Sequence, residues 1–406
     1  MKFGLLGRKL GHSYSPKIFD LMGGYEYLLH EREPEGIEDL LRNEPFDGLN
    51  VTIPYKKDVV PYLDEVDELA LRLGSVNTIV KRNGHLAGHN SDYFGFLSMV
   101  RRSGLEPAGK KVLVLGSGGA SVTVRAVLED LRAHVVIISR SGENNYQNLH
   151  LHQDARIIVN TTPVGMYPNT GEAPLDVRQF PELEGVLDLI YNPARTKLLL
   201  DCEHVGIPGW NGLWMLVAQA KKSAEWFMDK HLNDALIHDI HQALRDKMEN
   251  IVLVGMPGCG KSTVGKALAK RTGKAFVDAD TEIVRLAGKP IPEIFAQDGE
   301  EVFRSWETKV LAELGKKSGL VIATGGGCVT RLCNYPLLHQ NSRIIWLRRD
   351  LALLPTDGRP LSQRSSAREL YEARKFCYKA FSDAAVENSG TIDECIDKIM
   401  EMLEVI

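Results

Sequence analysis

The sequence predicts an α/β protein built on parallel sheets and divided into more than one domain, and three observations carry that prediction. Twice the chain passes from a short apolar run through a glycine-rich turn into a helical period, as KVLVLGSGGAS over 111–121 and as IVLVGMPGCGKST over 251–263. Each such unit places the next strand parallel to the first, because the intervening helix must pack back over the sheet. The third observation is length: 406 residues, at about 100–200 per domain, supply material for about two to four separate cores.

Composition narrows the function classes. Hydrophobic residues make up 44% and charged residues 25% of the chain, as in ordinary globular proteins, and the formal net charge is -4. There is no basic surplus to draw in nucleic acid or an anionic membrane, so any anionic ligand is held by local clusters. Six cysteines (Cys202, Cys259, Cys328, Cys333, Cys377 and Cys395) fall without C-x-x-C spacing and read as reduced thiols, not as a zinc site or a disulfide framework. The chain opens on a short apolar run, too short for a signal segment, and no apolar run approaches 18 residues. The expectation is a cytoplasmic protein whose partners are small molecules, with neither nucleic acid nor membrane among them.

KFGLLG at 2–7 has the composition of a buried strand, and the loop after it enters a helix at Pro16, a favoured first-turn position. Ser13 and Ser15 on that loop cap the helix or grip a polar ligand. FDGLNVTIPYKKDVVPYL contains another strand and places Lys56 just past a proline turn. Asn83-Gly84 is a hairpin signal, and the loop beyond it carries Asp92. A lysine and an aspartate from separate strand ends form a proton-transfer pair wherever the fold brings them together.

From Lys110 the pattern of strand, glycine turn, helix and strand is the unit that binds dinucleotides. Gly116, Gly118 and Gly119 provide the tight turn and the close backbone approach, in a G-x-G-G-A variant of the usual G-x-G-x-x-G. The second strand ends in Ser139-Arg140-Ser141, where an NAD site presents an acidic residue; an arginine there suits the 2′-phosphate of NADP, with Glu143 keeping NAD as the lesser option. ARIIVN and GVLDLI read as two further buried strands, and residues 210–247 carry helical periodicity. His231, His238 and His241 fall in that periodic stretch, where a solvated helix face is favoured over a metal site because no carboxylate or cysteine pattern accompanies them.

GMPGCGKST fits the phosphate loop G-x-x-x-x-G-K-[ST] in full. Its backbone N–H groups line a phosphate, Lys261 adds a cation and Ser262 holds Mg²⁺, all at the start of a helix whose dipole favours anions. KAFVDAD then reads as a strand ending in Asp278-Ala279-Asp280, with both carboxylates on one face; one organises Mg²⁺ through water and the other accepts a hydroxyl proton. Capping a helix is the plain alternative for Asp280. Arg304 lies in an amphipathic helix with Glu300, Glu301 and Glu307 as ordinary partners. LVIATGGGCV is a buried strand broken by three glycines, where backbone approaches something closely. SRIIWLRR is another strand, PTDGRPLSQRSS a polar cover, and ARELYEARKFCYKAF a helix with Arg368 and Arg374.

In order along 1–247, the segments HSYSP, NVTIPYK, GSVNT, GHNSD, GSGGAS, NTTPVGM, DLIYNP and GLWMLVAQA resemble the shikimate dehydrogenase family. The resemblance implies an α/β substrate lobe (1–95 and 206–247) and a Rossmann lobe for NADP(H) (96–205). It implies that Ser13, Ser15, Thr52, Asn77, Tyr191 and Gln219 hold the substrate, that Lys56 and Asp92 are the catalytic pair, and that NADP is met by Gly116, Ser117, Gly118, Gly119, Ala120, Ser121, Arg140, Gly212 and Met215. Departures are Ser117 for a usual alanine, Tyr93 after Asp92 where glycine is common, which bears on the width of the cleft, and SRSGENN without a second basic residue.

Over 248–406, GMPGCGKSTVG, FVDAD, GEEVFR, ATGGG, GRPL and the pair Arg374 and Tyr378 resemble the shikimate kinase family, a P-loop parallel-sheet domain. That resemblance implies shikimate contacts from Asp280, Arg304, Gly326, Gly327 and Arg374, with Asp280 catalytic beside Lys261. It implies ATP contacts from Gly258, Cys259, Gly260, Lys261, Ser262, Thr263 and the lid residue Arg359, and Mg²⁺ at Ser262 and Asp278. The interval between IIWL and GRPL is shorter than the family's, which trims a helix and predicts weaker closure over ATP. Together the resemblances imply reduction of 3-dehydroshikimate followed by phosphorylation of shikimate. The rival readings are a quinate/shikimate dehydrogenase using NAD and a chain in which one half is a silent regulatory module.

Overall fold

The computed structural model describes residues 1–11, 13–354 and 366–405. The chain divides into two compact units: Met1–Val164 with Ala173–Tyr191 and Asp201–Leu244, and Gly165–Glu172 with Asn192–Leu200 and everything from Arg245 onward.

The first unit holds two sheets. One is six-stranded: β1 (Lys2–Gly7), β2 (Glu26–Glu31), β3 (Gly48–Val51), β4 (Glu65–Val66), β5 (Thr78–Arg82) and β6 (His85–His89), in the order β2-β1-β3-β5-β6-β4. β1 is buried over five consecutive residues and β3 over all four, the continuous apolar run of strands covered on both faces. β1 runs parallel to β2 and β3, whereas β5 is antiparallel to both β3 and β6. Asn83 and Gly84 close the β5–β6 hairpin with φ of 51° and 83°, as the mirror-image turn requires. This alternation sends the ends of β1, β3 and β6 and the beginning of β5 to one rim. Leu40, Leu49, Tyr55, Ile79 and Leu86 lie in the core beneath.

The other sheet is all parallel: β7 (Lys111–Leu115), β8 (His134–Ile138), β9 (Ile157–Asn160), β10 (Gly185–Asp188) and β11 (Gly209–Trp210), in the order β11-β10-β9-β7-β8. The chain reverses direction across the sheet between β7 and β9, and a crevice at such a reversal is where open α/β sheets bind ligands.

The helical periodicity of 210–247 resolves into two helices, Leu213–Met228 and Ala235–Met248. Asp229 ends the first in a left-handed conformation, φ 50°. Glu225 then holds the turn: it accepts the Leu232 N–H at 2.9 Å and pairs with Lys221, whose Nζ also reaches Asp234, each at 2.7 Å. His231 sits in this turn, 2.8 Å from Glu225, and so leaves the helix face that carries His238 and His241.

The second unit is a five-stranded parallel sheet of β12 (Asn250–Val254), β13 (Ala275–Asp278), β14 (Leu320–Ala323), β15 (Ser342–Arg348) and β16 (Ala384–Glu387), in the order β13-β14-β12-β15-β16. The central strand is wholly buried, and Asn250 at its start satisfies its amide by donating to Lys317 O and accepting from Leu320 N. One expectation is corrected here. Asp278 ends β13, but Asp280 belongs to the helix Ala279–Ala287, because the Asp278 carboxylate accepts the Asp280 N–H and caps the helix. Among the described residues no helix is long and apolar enough to cross a membrane.

Candidate active sites

The rim of the six-stranded sheet collects residues far apart in sequence. Thr52 follows β3, Asn77 precedes β5, and Asp92 opens the helix Asp92–Ser103 after β6. The turn after β3 carries Lys56, whose Nζ lies 2.5 Å from Asp92 Oδ2 across 36 positions of sequence; both side chains are about a quarter exposed or less. Beside the pair is a buried polar floor. Asn77 accepts the Ser91 N–H at 2.7 Å and donates to Ser91 Oγ at 3.0 Å; Ser91 Oγ in turn donates to Gln219 Oε1 at 3.1 Å. Below them Ser223 bonds both Thr78 and Asn50, and Tyr27 donates to Asn50 at 2.9 Å.

Gln219 reaches this floor from the helix Leu213–Met228 because Gly95 lets that helix approach. A Cβ at Gly95 would stand 2.8 Å from both the Gln219 Cβ and the Met215 carbonyl oxygen. Gly212 caps the same helix. Ser13 lies on the loop after β1 and Ser15 begins the helix Ser15–Gly23, with Ser13 Oγ accepting the Ser15 N–H at 3.2 Å. Tyr191, beyond β10, places its ring edge-on to Tyr14 at 5.9 Å, and burial pushes its phenol up. Tyr93, the departure next to Asp92, points elsewhere: its hydroxyl donates to Asp130 at 2.6 Å, and Arg72 pairs with the same carboxylate.

The turn after β7 has the form of a dinucleotide cradle. Gly116 is left-handed, φ 105°, and the helix Gly119–Asp130 begins with no side chain capping it. The Ser121 N–H is taken by Gly118 O, while no side chain occupies the N–H groups of Gly119 and Ala120, which are open to an anion. Cβ atoms at Gly118 and Gly119 would meet nothing within 4 Å, which leaves room for a pyrophosphate against the backbone. Ser117 and Ala120 are exposed, whereas Ser121 turns inward and donates to Gly118 O at 2.6 Å. Arg140 stands exposed just past β8, near enough to Tyr146 to act on its phenol. These residues fit NADP.

In the second unit a cavity of about 720 Å³ lies along the ends of the parallel strands. The phosphate loop after β12 turns through left-handed Gly258 and Gly260 into the helix Lys261–Thr272. Lys261 is buried and donates to Gly255 O and Met256 O at 2.9 and 3.0 Å; Cys259 is buried beneath and Thr263 lines the cavity. Ser262 donates to Asp278 Oδ2 at 2.6 Å. A hydroxyl beside a carboxylate, open to the cavity, is a hard-oxygen donor set that fits Mg²⁺ shared with phosphates and water.

The far end of the cavity is built on buried charge. Arg304, 5% exposed, donates to Glu307 at 2.8 Å and to Glu300 at 3.2 Å, while Glu301 pairs with Arg331. Glu307 is fully buried; burial pushes its carboxyl up, neighbouring Asp280 pushes the same way, and Arg304 pulls against both. The glycines after β14 admit this crowd. A Cβ at Gly326 would lie 2.6 Å from Pro257, and one at Gly327 only 2.2 Å from the Arg304 guanidinium. Arg374 and Tyr378 both donate to Gly326 O.

Of the residues singled out from the sequence, Arg359 lies outside the described residues. Two went unnoticed as site residues. Glu307 was one of three equivalent helical partners for Arg304, and only its burial sets it apart. Arg349, which lines the cavity, looked like the end of a basic doublet on a strand.

Comparison with known proteins identifies the families that these parts of the chain resemble. The family model for shikimate kinase matches residues 257–404, and that for the shikimate dehydrogenase substrate binding domain matches residues 5–79. The chain is 34% identical over 265 residues to the shikimate dehydrogenase (NADP(+)) of Clostridium perfringens, covering 60% of this chain and 98% of that one. Among solved structures it is similar to shikimate dehydrogenase 1 from Peptoclostridium difficile, with 36% identity, a TM-score of 0.55 and coverage of 60% and 98% of the two chains. It is also similar to shikimate 5-dehydrogenase from Thermus thermophilus in complex with NADP(H) and shikimate, at 27% identity and a TM-score of 0.54, with coverage of 60% and 99%.

Proposed function

The chain belongs to the shikimate dehydrogenase family and carries a shikimate kinase domain toward its C-terminal end, and from that premise we propose that one polypeptide performs two consecutive reactions. The first reduces 3-dehydroshikimate to shikimate with NADPH, within residues 1–247. The second phosphorylates shikimate with ATP, within residues 248–406. The observation that carries the first is the 2.5 Å contact between Lys56 and Asp92 on a rim otherwise lined by hydroxyls and amides.

NADPH, when bound, supplies the hydride. Lys56 donates the proton that the carbonyl oxygen requires as it gains charge, and Asp92 keeps the ammonium aimed at it. Ser13, Ser15, Thr52, Asn77, Tyr191 and Gln219 fix the polyhydroxy ring, so that one face of the carbonyl is presented. Arg140 selects the cofactor's 2′-phosphate.

In the kinase half Arg304 and Arg374 hold the shikimate carboxylate, whose planar geometry suits their forks. Asp280 orients the attacking hydroxyl, and Lys261 with the loop N–H groups steadies the nucleotide phosphates. Mg²⁺, held by Ser262 and Asp278 when bound, neutralises phosphate charge.

Lys56→Ala tests the first reaction. Dehydroshikimate reduction falls by about 10²–10⁴, the usual share of a general acid–base group, while ATP-dependent phosphorylation of shikimate by the same preparation is kept. Reduction persisting within about threefold of wild type removes the acid–base assignment.

A further inference from the structure

The end of β15 carries two arginines with opposite fates. Arg348 turns outward, pairs with Glu387 at 2.6 Å and lies over the Trp346 ring. Arg349 instead lines the cavity of the phosphate loop, and its Nε is buried with no hydrogen-bond partner among the described residues. A guanidinium is a rigid fork of five donors that stays charged at every physiological pH. Leaving one of its N–H groups dry and unpaired is costly unless an anion meets it during the protein's working cycle.

Position says which anion. β15 is hydrogen-bonded beside β12, the strand that feeds the phosphate loop. The backbone contact is close: a Cβ at Gly255, the first residue of that loop, would stand 2.3 Å from Leu347 O. Arg349 therefore leaves the sheet on the nucleotide side of the cavity. Two of the three acids that line the same cavity have nearer partners: Asp278 with Ser262 and Glu307 with Arg304. At the opposite end the two buried arginines, Arg304 and Arg374, suffice for a carboxylate.

Resting on the kinase reading above, we propose that Arg349 is a further phosphoryl-binding residue of the phosphotransfer site, donating its guanidinium to the terminal phosphate of ATP from the fixed end of a strand. It acts there as a cation whose position is set by the sheet, complementing Lys261 across the loop. Its contribution grows as charge shifts onto the phosphoryl oxygens during transfer.

Arg349→Ala and Arg349→Lys, assayed for both reactions, test this. In the alanine variant kcat/KM for ATP falls about 100-fold, as for other donors to developing charge. Its KM for shikimate stays within about twofold, and lysine recovers only part of the loss because an ammonium lacks the fork. Dehydrogenase turnover is unchanged and reports an intact chain. Should Arg349→Ala depress that turnover too, Arg349→Met, which keeps the stem's packing, takes its place, and calorimetric binding of Mg·ATP and of shikimate is measured separately. Loss confined to Mg·ATP supports the assignment. An ATP kcat/KM within about threefold of wild type, or a defect confined to shikimate, overturns it. Wild-type protein unable to phosphorylate shikimate defeats the kinase reading itself, and a wild type that turns over normally beside an unaffected variant defeats only the role of Arg349.

Discussion

Gly327→Ala isolates a single steric contact in the kinase cavity. The residue has φ -106°, which any amino acid adopts, so alanine brings no backbone strain. What it brings is a methyl group 2.2 Å from the Arg304 guanidinium. A normal contact is about 3.5 Å, so the fork must retreat by more than about 1 Å. The loop has little freedom to give way instead, since Gly326 packs on Pro257 and its carbonyl is held by Arg374 and Tyr378. Retreat on that scale stretches the 2.8 Å bond to Glu307 beyond useful length. A hydrogen bond to a charged group contributes about 1.5–3 kcal/mol, and the same displacement moves the arginine out of register with the carboxylate it is proposed to bind. Steady-state kinetics then show KM for shikimate raised about 10–100-fold, at about 1.4 kcal/mol per factor of ten. KM for ATP and the dehydrogenase reaction on the same chain stay as in wild type. A shikimate KM within about twofold of wild type would falsify the claim that this glycine exists to seat Arg304.

Further outcomes follow from other parts of the structure. EDTA abolishes phosphorylation and spares reduction, and Asp278→Asn raises the Mg²⁺ concentration needed for half-maximal kinase rate by about tenfold or more, since it removes the carboxylate that Ser262 meets. Tyr93→Ala leaves the dehydrogenase KM for shikimate within about twofold, because the hydroxyl is spent on Asp130 and Arg72, and lowers stability by about 1–3 kcal/mol through the lost packing of its ring on the core; a large change in KM would show that the tyrosine narrows the cleft. Acid sensitivity reports Glu225. Burial works to raise its carboxyl, but Lys221 and the Leu232 N–H overcome this and hold it below the ordinary 4.5. A depressed carboxyl contributes stability that is present above its unfolded value and lost as pH falls through its folded value. Melting temperatures followed downward from pH 6 decline below about pH 4.5 in wild type, and in Lys221→Met this part of the decline is shallower; identical profiles would contradict the pairing.

The central strands were readable because they are short apolar runs bounded by turn residues, and KFGLLG and the Asn83-Gly84 hairpin stand where the pattern put them; the edge strands β2, β4, β11 and β16, short or largely exposed, gave no such run. Sheet order was not readable, since it depends on which runs pair across long intervals. For that reason spacing alone says nothing of whether Lys56 and Asp92 meet; only the alternation of β3, β5 and β6 brings their ends together. Asp280 was misassigned because two continuations compete after β13, and a capping carboxylate at Asp278 decides for helix. The break at 229–234 had no glycine or proline to announce it, and Asp229 supplies the left-handed turn that glycine usually provides. Charged side chains at helical spacing look alike in a sequence, so the burial that separates Glu307 from Glu300 and Glu301 belongs to tertiary packing alone.

The floor of the first cleft, made of Asn50, Asn77, Thr78, Ser91, Gln219 and Ser223, is composed of amides and alcohols, which neither gain nor lose protons across the range in which enzymes work. Its tyrosine, Tyr27, has its phenol driven far upward by burial. The floor beneath the ligand therefore keeps its charge unchanged from mildly acidic to mildly alkaline solution. An inflection in the rate of reduction with acidity is then owed to the reacting groups above the floor and not to a change of charge in the floor itself.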